Sequence, residues 1–539
     1  MGVGRAPRAA RAGGVTQSRR LTRRGFIGAV GGAAVTVAAG TEALRWLAAP
    51  AETGRLLRSE LRLPRPFMAP LPRPPVLAAR REGETDYYEL TQRVAVQEIL
   101  PGIETEIWGY DGRYPGPTIV SRSTRRTVVR HHNQLPVPTV VHLHGGHTPA
   151  SSDGYPTDLL LPAAMAASHT AVMDARARIA HGSRAYEYPL QQPAATLWYH
   201  DHRMDFTGPS IWRGLAGFHL IHDDEERTLP LPVGERDVSL MIADRAFTRD
   251  GGLRYPSLDP TLMHTPGVDD AFRQGVLGDV ICVNGAAWPV LEVEAARYRL
   301  RLLNASNARR YRLELQPRAA GGRELVQIAS DGGLLTRPLA HDAIEIAPGE
   351  RFEVVVDFSR YRVGERVTLV NRLGRDRTAL VMQFHVVRAA GDDSQVPARL
   401  AAGELLRPEQ STLTRGFVFR SNDEGAWTIN RHAFDPGLIS AAPQLGAIET
   451  WRFTTDFHHP IHLHHAHFRI LSRNGRAAGP YDAGWKDVID LRPAEEAAVI
   501  VRFCDYTGRF VFHCHNLEHE DMAMMANFEV VADAAVRGS

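Results

Sequence analysis

The chain has 539 residues, 44% of them hydrophobic and 23% charged, with a formal net charge of +2. That length is more than one ordinary domain and suits roughly two to four. The near-balanced charge, with no basic stripe in the body of the chain, excludes a nucleic-acid footprint, and three cysteines (Cys282, Cys504 and Cys514) exclude a disulfide scaffold.

The first element in chain order is an address. Arg19 to Gly40 reads RRLTRRGFIGAVGGAAVTVAAG, an arginine pair followed by a short Gly/Ala-rich apolar run. Thr22-Arg23-Arg24-Gly25-Phe26-Ile27 resembles the twin-arginine export signal, and the run Phe26 to Ala39 is too short for a membrane span. Residues 1–50 are therefore expected to be a removable signal, with small-residue cleavage points near Ala39 and Ala51. The expected partner is the twin-arginine machinery and the expected destination the periplasm, the exterior or the cell envelope. That route carries folded proteins, so a metal can be installed before export.

Residues 51–85 hold the stretch LPRPFMAPLPRPPV, expected to form an extended proline-rich arm. Beyond it, short alternating runs such as TVVRHHN, YRLRLLNAS, RFEVVVDFS, ETWRFTTD and AVIVRFCDY recur between Gly/Pro punctuation, which argues for an all-β chain of sandwiches or barrels. At roughly 100–150 residues per domain, three are expected: 86–228, 229–395 and 396–539, with the charged DDEER after His222 and the segment Ala389 to Ser411 as boundaries. Cys282 and Cys504 lie in apolar, strand-like runs and read as buried free thiols, with a bridge between them left open.

The histidines carry the chemistry. Among 24 histidines, chance would place about one His-x-His in a chain of this length. Five occur: His142/His144, His200/His202, His462/His464, His465/His467 and His513/His515. Residues i and i+2 of a strand share a face, so each pair can present two imidazoles to one side. Imidazole suits copper, zinc and iron alike. Cys514 narrows the choice. It is followed by His519 and Met524, and with one upstream histidine this is the donor set of a blue-copper centre: two His, a thiolate and a weak axial Met. Met522 and Met525 read as packing residues. On a strand, Cys514 faces one way while His513 and His515 face the other, so three consecutive residues can join two metal sites.

The segments HLHGGH, WYHDH, HPIHLH and HCHNLEHEDMAMM resemble the four copper signatures of the multicopper oxidases, in the bacterial laccase, bilirubin oxidase and phenoxazinone synthase branch. CVNGAAWPVLEVEAARYRLRLLNAS and APGERFEVVVDFS resemble that family's middle domain, and the resemblance runs from about residue 85 to 532. It implies three cupredoxin-like Greek-key β-barrel domains, the middle one without copper, and four coppers per chain. By the same resemblance His459, Cys514, His519 and Met524 would hold type 1 copper. His142 and His462 would hold type 2. His144, His200, His202, His464, His513 and His515 would hold the type 3 pair. In HHPIHLHHAH two registers share the spacing; Pro460 after His459 and Phe468 four after His464 favour His459/His462/His464. His147, His458, His465 and His467 depart from the family pattern and read as neighbours of the ligands or surface residues. Asp153 and Glu520 match acidic residues that family members place near the cluster, where carboxylates relay protons.

The function this implies is one-electron oxidation of phenols, aminophenols or similar small donors, coupled to reduction of O₂ to water. A cuprous or other metal-ion oxidase is the rival within the class, and the 11 methionines form no methionine-rich insertion that would favour it. A copper-free envelope scaffold would have lost ligands, and an electron-transfer or nitrite-reducing cupredoxin protein would not need all the His-x-His segments. The loops Arg420 to Ser440 and Arg473 to Trp485 are expected to shape the donor pocket. The branch also leaves room for an oligomer.

Overall fold

The alternating runs are strands in the computed structural model, which describes residues 1–2, 53–165 and 174–532. TVVRHHN falls in Arg126–Asn133, YRLRLLN in Arg297–Asn304, RFEVVVD in Arg351–Asp357 and AVIVR in Glu496–Arg502. The export-signal reading lies outside the described residues. The arm runs along the body. Arg55–Leu57 pairs in parallel with Val276–Gly278, and isolated bridges join Pro70 to Val290 and Val76 to Thr118.

The larger sheets come in pairs along the chain. A five-stranded and a four-stranded sheet use residues 80–222, a seven- and a five-stranded sheet use 237–389, and a six- and a five-stranded sheet use 413–530. Each pair encloses apolar side chains, so the chain is all-β and built of three cupredoxin-like domains. Helices are short, and among the described residues none is long and apolar enough to cross a membrane.

The core of the third domain sets the site. Phe417, Trp451, Phe512 and Phe528 pack together there, with ring centroids of Phe417 and Phe512 4.7 Å apart. In the strand Gly508–Cys514, the alternate residues Phe510, Phe512 and Cys514 all enter this core, whereas Val511 packs on the opposite face with Tyr155 and Met525. Each buried Phe contributes roughly 1.5–3 kcal/mol. A one-residue slip would move both Phe rings out of the core, so their burial fixes which way Cys514 and His513 point.

Candidate metal centre

Two strand pairs carry the histidines. Val141–His144 lies antiparallel to Ala195–Asp201, setting His142 opposite His200. His459–Leu463 lies antiparallel to Gly508–Cys514, setting His462 opposite His513 and Ile461 opposite Cys514. The first pair belongs to the first domain and the second to the third domain, and their histidine faces meet.

Among the described residues, the buried groups whose donor atoms lie within 4.8 Å of one another include four made of histidine and cysteine: His142/His144/His462, His144/His200/His515, His202/His464/His513 and His459/Cys514/His519. His142 Nε2 is 3.3 Å from His462 Nε2, and His513 Nε2 is 3.2 Å from His202 Nε2 and 3.3 Å from His464 Nε2. In the fourth group Cys514 Sγ is 3.3 Å from His459 Nδ1 and 3.6 Å from His519 Nδ1, and the two Nδ1 atoms are 3.1 Å apart. Met524 is fully buried in the same core, its backbone carbonyl accepting from Cys514 N–H at 3.1 Å. Two contacts brace the histidine faces: His144 stacks on His462 at 3.7 Å and 9°, and His142 on His464 at 3.8 Å and 20°.

The outward nitrogen of most rings is committed. His462 Nδ1–H donates to the Asp487 carbonyl (2.9 Å), His464 Nδ1–H to Asp153 Oδ2 (2.8 Å) and His200 Nδ1–H to the Asp201 carbonyl (2.8 Å). His459 Nε2–H donates to Asp456 Oδ1 (3.1 Å). These contacts select the tautomer whose other nitrogen offers a lone pair inward. Burial, reinforced by neighbouring imidazoles, pushes His142, His200 and His464 well below the ordinary histidine value. It lowers His202 to about 4 and His515 to about 3. Neutral rings at neutral pH are what metal binding requires. His200 Nε2 and both nitrogens of His515 are buried with no hydrogen-bond partner. Lone pairs facing one another at 3.2–3.3 Å repel unless a cation lies between them. The imidazole-only groups and the His/Cys/Met set both fit copper. Burial holds the Cys514 thiol well above its ordinary value, so it loses its proton only to a metal.

Every sequence-predicted site residue is drawn into this region. Asp153 bonds His464, and its backbone carbonyl accepts from His142 Nδ1–H. Glu520 Oε2 is 3.0 Å from His513 Nδ1, and Oε1 is 3.6 Å from His202 Nδ1. Burial, with the nearby Asp158 charge, raises the Asp153 carboxyl well above the usual range. Met525 is buried, while Met522 is half-buried and packs at the edge of the core, as packing residues do. The three cysteines are unbridged, and Cys504 is only half-buried, because its turn reaches the surface.

The outer face of the cysteine group carries features that sequence reasoning missed. Trp427 lays its ring on His519, centroids 3.8 Å apart, and meets His459 edge-on at 5.6 Å. Beside it opens a cavity of about 430 Å³ lined by Arg55, Asp270, Arg273, Ser421, Trp427 and Phe457 among others. The loop Arg420 to Ser440 does supply part of this wall. The loop Arg473 to Trp485 does not: Arg473 is tied to Asp482, and Tyr481 O–H donates to the Ala343 carbonyl of the middle domain. Arg55 and Asp270 to Gln274 arrive from distant segments and left no signal in the sequence.

The comparisons with known proteins agree with this geometry. Two family models described as multicopper oxidase match residues 93–226 and 407–534. A laccase of Bacillus stratosphericus is 36% identical over 534 residues, covering 86% of this chain and 99% of its own. Bilirubin oxidase of Albifimbria verrucaria is 35% identical over 496 residues, covering 86% of this chain and 81% of its own. Among solved structures, a laccase from Pediococcus acidilactici superposes with a TM-score of 0.76 at 31% identity, covering 88% of this chain and 96% of its own. On the ground of this near full-length similarity, joined to the buried histidine and cysteine groups, the chain belongs to the multicopper oxidases and is an oxidoreductase that uses copper.

Proposed function

We propose that the protein is a laccase-like oxidase that takes one electron at a time from phenol- or aminophenol-type donors and reduces O₂ to water, with four copper ions per chain. His459, Cys514, His519 and Met524 hold the type 1 ion. His142 and His462 hold type 2, and the triads His144/His200/His515 and His202/His464/His513 hold the type 3 pair. The observation that carries this reading is the run His513-Cys514-His515, whose middle residue enters one group while its neighbours enter two others. Copper, when bound, supplies one-electron acceptance at the cysteine group and O₂ reduction at the histidine groups.

The protein's own residues do the rest. Four donors each give up one electron, and O₂ takes four electrons and four protons to make two waters. Trp427 covers His519 and, with Phe457, offers an aromatic surface to a planar donor. Asp153, whose carboxyl burial makes easier to protonate, can pass a proton towards the histidine groups, and Glu520 faces them from the other side. The short covalent path through Cys514 joins the donor side to the oxygen side. The arginine pair and apolar run of residues 19–40 support export by the twin-arginine route. Metal analysis of copper-loaded protein, with an absorption spectrum and O₂ uptake on phenols, aminophenols and cuprous ion, tests the reading. About four coppers, an intense blue band and organic-donor turnover are expected. Turnover of cuprous ion alone would reassign the donor, and a folded, reduced sample that takes up no copper would refute the enzyme.

A further inference from the structure

A second cluster of metal-binding side chains lies outside the groups assigned above. His147, in the loop after Val141–His144, reaches across to the third domain. Its Nδ1–H donates to the His465 carbonyl at 2.7 Å, and its Nε2 stands 2.7 Å from Asp505 Oδ2. Cys504 immediately precedes Asp505 in the chain, and its thiol lies near the same carboxylate. Two three-residue turns hold the partners. One is centred on Asp505 (φ 65°) and closed by Tyr506 N–H to the Cys504 carbonyl at 2.7 Å. The other is centred on His465 (φ 69°) and closed by Ala466 N–H to the His464 carbonyl at 2.7 Å. Both centres sit in left-handed backbone that side chains rarely adopt.

Hydrogen-bond accounting points to a cation. With Nδ1 committed to a carbonyl, a neutral His147 presents a lone pair at Nε2, and that lone pair faces a carboxylate. Two acceptors at 2.7 Å need a proton or a metal between them. A carbonyl-held Nδ1 with an inward Nε2 is the arrangement His200 also shows in the main centre, and it is how metal-binding imidazoles are usually oriented. A second, independent observation is His465. It is 3% exposed, its ring stacks on His147 at 4.9 Å and on Phe510 at 4.4 Å, and neither ring nitrogen has a hydrogen-bond partner. The Thr148 backbone lies near it but out of hydrogen-bonding geometry. His147 is buried, whereas the Asp505 side chain is 44% exposed and Cys504 is half-buried, so an ion can enter from solvent.

We propose that His147, Cys504 and Asp505 form an accessory site for a borderline-soft metal ion of the zinc class, backed by the unpartnered ring of His465. Imidazole nitrogen, thiolate sulfur and carboxylate oxygen are the zinc donor set. Binding takes the Cys504 Sγ proton, which leaves to solvent together with any proton shared between His147 Nε2 and Asp505, with no change of oxidation state. The ion ties a loop of the first domain to a turn of the third. The site does not depend on how copper is distributed in the main centre.

Equilibrium dialysis of copper-loaded protein against zinc, with copper and zinc measured on the same samples, tests this in the wild type and in His147→Ala, Cys504→Ser and Asp505→Asn. The wild type should hold one more zinc per chain than Cys504→Ser, with His147→Ala and Asp505→Asn weakening that zinc at least tenfold. Copper content should be equal in all four proteins. Zinc that strays into copper positions would appear in all four alike. Equal zinc in the four proteins would overturn the site and leave a proton-bridged His147–Asp505 pair. Zinc lost in Cys504→Ser but kept in the other two variants would overturn this ligand set. The wild type alone gives a second reading, independent of variant folding: zinc addition to weakly buffered protein should release at least one proton per zinc bound, that of the Cys504 thiol, and release of none would overturn the proposal.

Discussion

Arg351→Met is a sharp probe of how the centre is held. Arg351 is fully buried and uses all five of its donors. Nε bonds the Thr196 carbonyl (3.0 Å), Nη1 the Gly349 carbonyl (2.9 Å) and Asp487 Oδ1 (2.6 Å), and Nη2 the Asp331 carbonyl (3.1 Å) and Asp487 Oδ2 (2.5 Å). One guanidinium thus joins all three domains directly behind His144, whose Nε2 is 3.1 Å from Asp487 Oδ1. Methionine fills much of the volume but leaves the Asp487 carboxylate buried without its cation, at a cost of about 3–5 kcal/mol. For domains of this size that lowers the unfolding temperature by roughly 6–20 °C. Burial alone would raise the Asp487 carboxyl, and Arg351 holds it far below the usual range. Without Arg351 the carboxyl takes up a proton more readily, so the loss should be smaller at pH 5 than at pH 8. Adding Asp487→Asn should recover part of it. Calorimetry of the copper-loaded single and double variants at both pH values gives the measurement. A single variant melting within about 2 °C of wild type at pH 8 would show that the pair is not what holds the three domains together.

Further outcomes follow from the same geometry. Asp153→Asn and Glu520→Gln should slow O₂ turnover on the order of tenfold or more while the blue band persists, and wild-type turnover in both would remove the proton role. Trp427→Phe keeps a ring on His519 but narrows the donor surface, so KM for aromatic donors should rise several-fold with the copper content unchanged; an unchanged KM would place the donor elsewhere. Cys514→Ser should abolish both colour and turnover, and residual donor oxidation above about one part in a thousand would break the single-path reading. Copper-free protein should lose stability in acid. Burial lowers His202 to about 4 and His515 to about 3 from 6.5, so the stability conferred by keeping these rings neutral is whole above about pH 6.5 and drains away as pH falls towards those values. Thermal unfolding of the copper-free form from pH 8 to pH 4 reads this directly, and a flat profile would contradict it.

Much of the centre was legible before any coordinates. His-x-His on a strand has one geometric meaning, two rings on one face, and His513-Cys514-His515 has another, two faces joined by one residue. Alternation also made TVVRHHN and RFEVVVD strands, because a period of two suits only a pleated chain. The preference for His459 over its neighbours rested on Pro460 and Phe468 matching the family pattern, and the structure sets His459 beside Cys514 and His519.

What the sequence by itself determined was therefore the strand class, the candidate donors and the strand face each one takes, since all of these follow from local periodicity. What only the tertiary structure decided was which donors meet. The histidines sort into buried groups because a first-domain strand pair abuts a third-domain pair, bringing His202 to His513 across 311 residues and His142 to His462 across 320. Arg55 and Arg273 wall the cavity beside Trp427, and Asp505 finds His147 across 358 residues. Such meetings depend on how whole sheets pack, through many weak apolar contacts spread over the chain, and no short window of sequence records their sum.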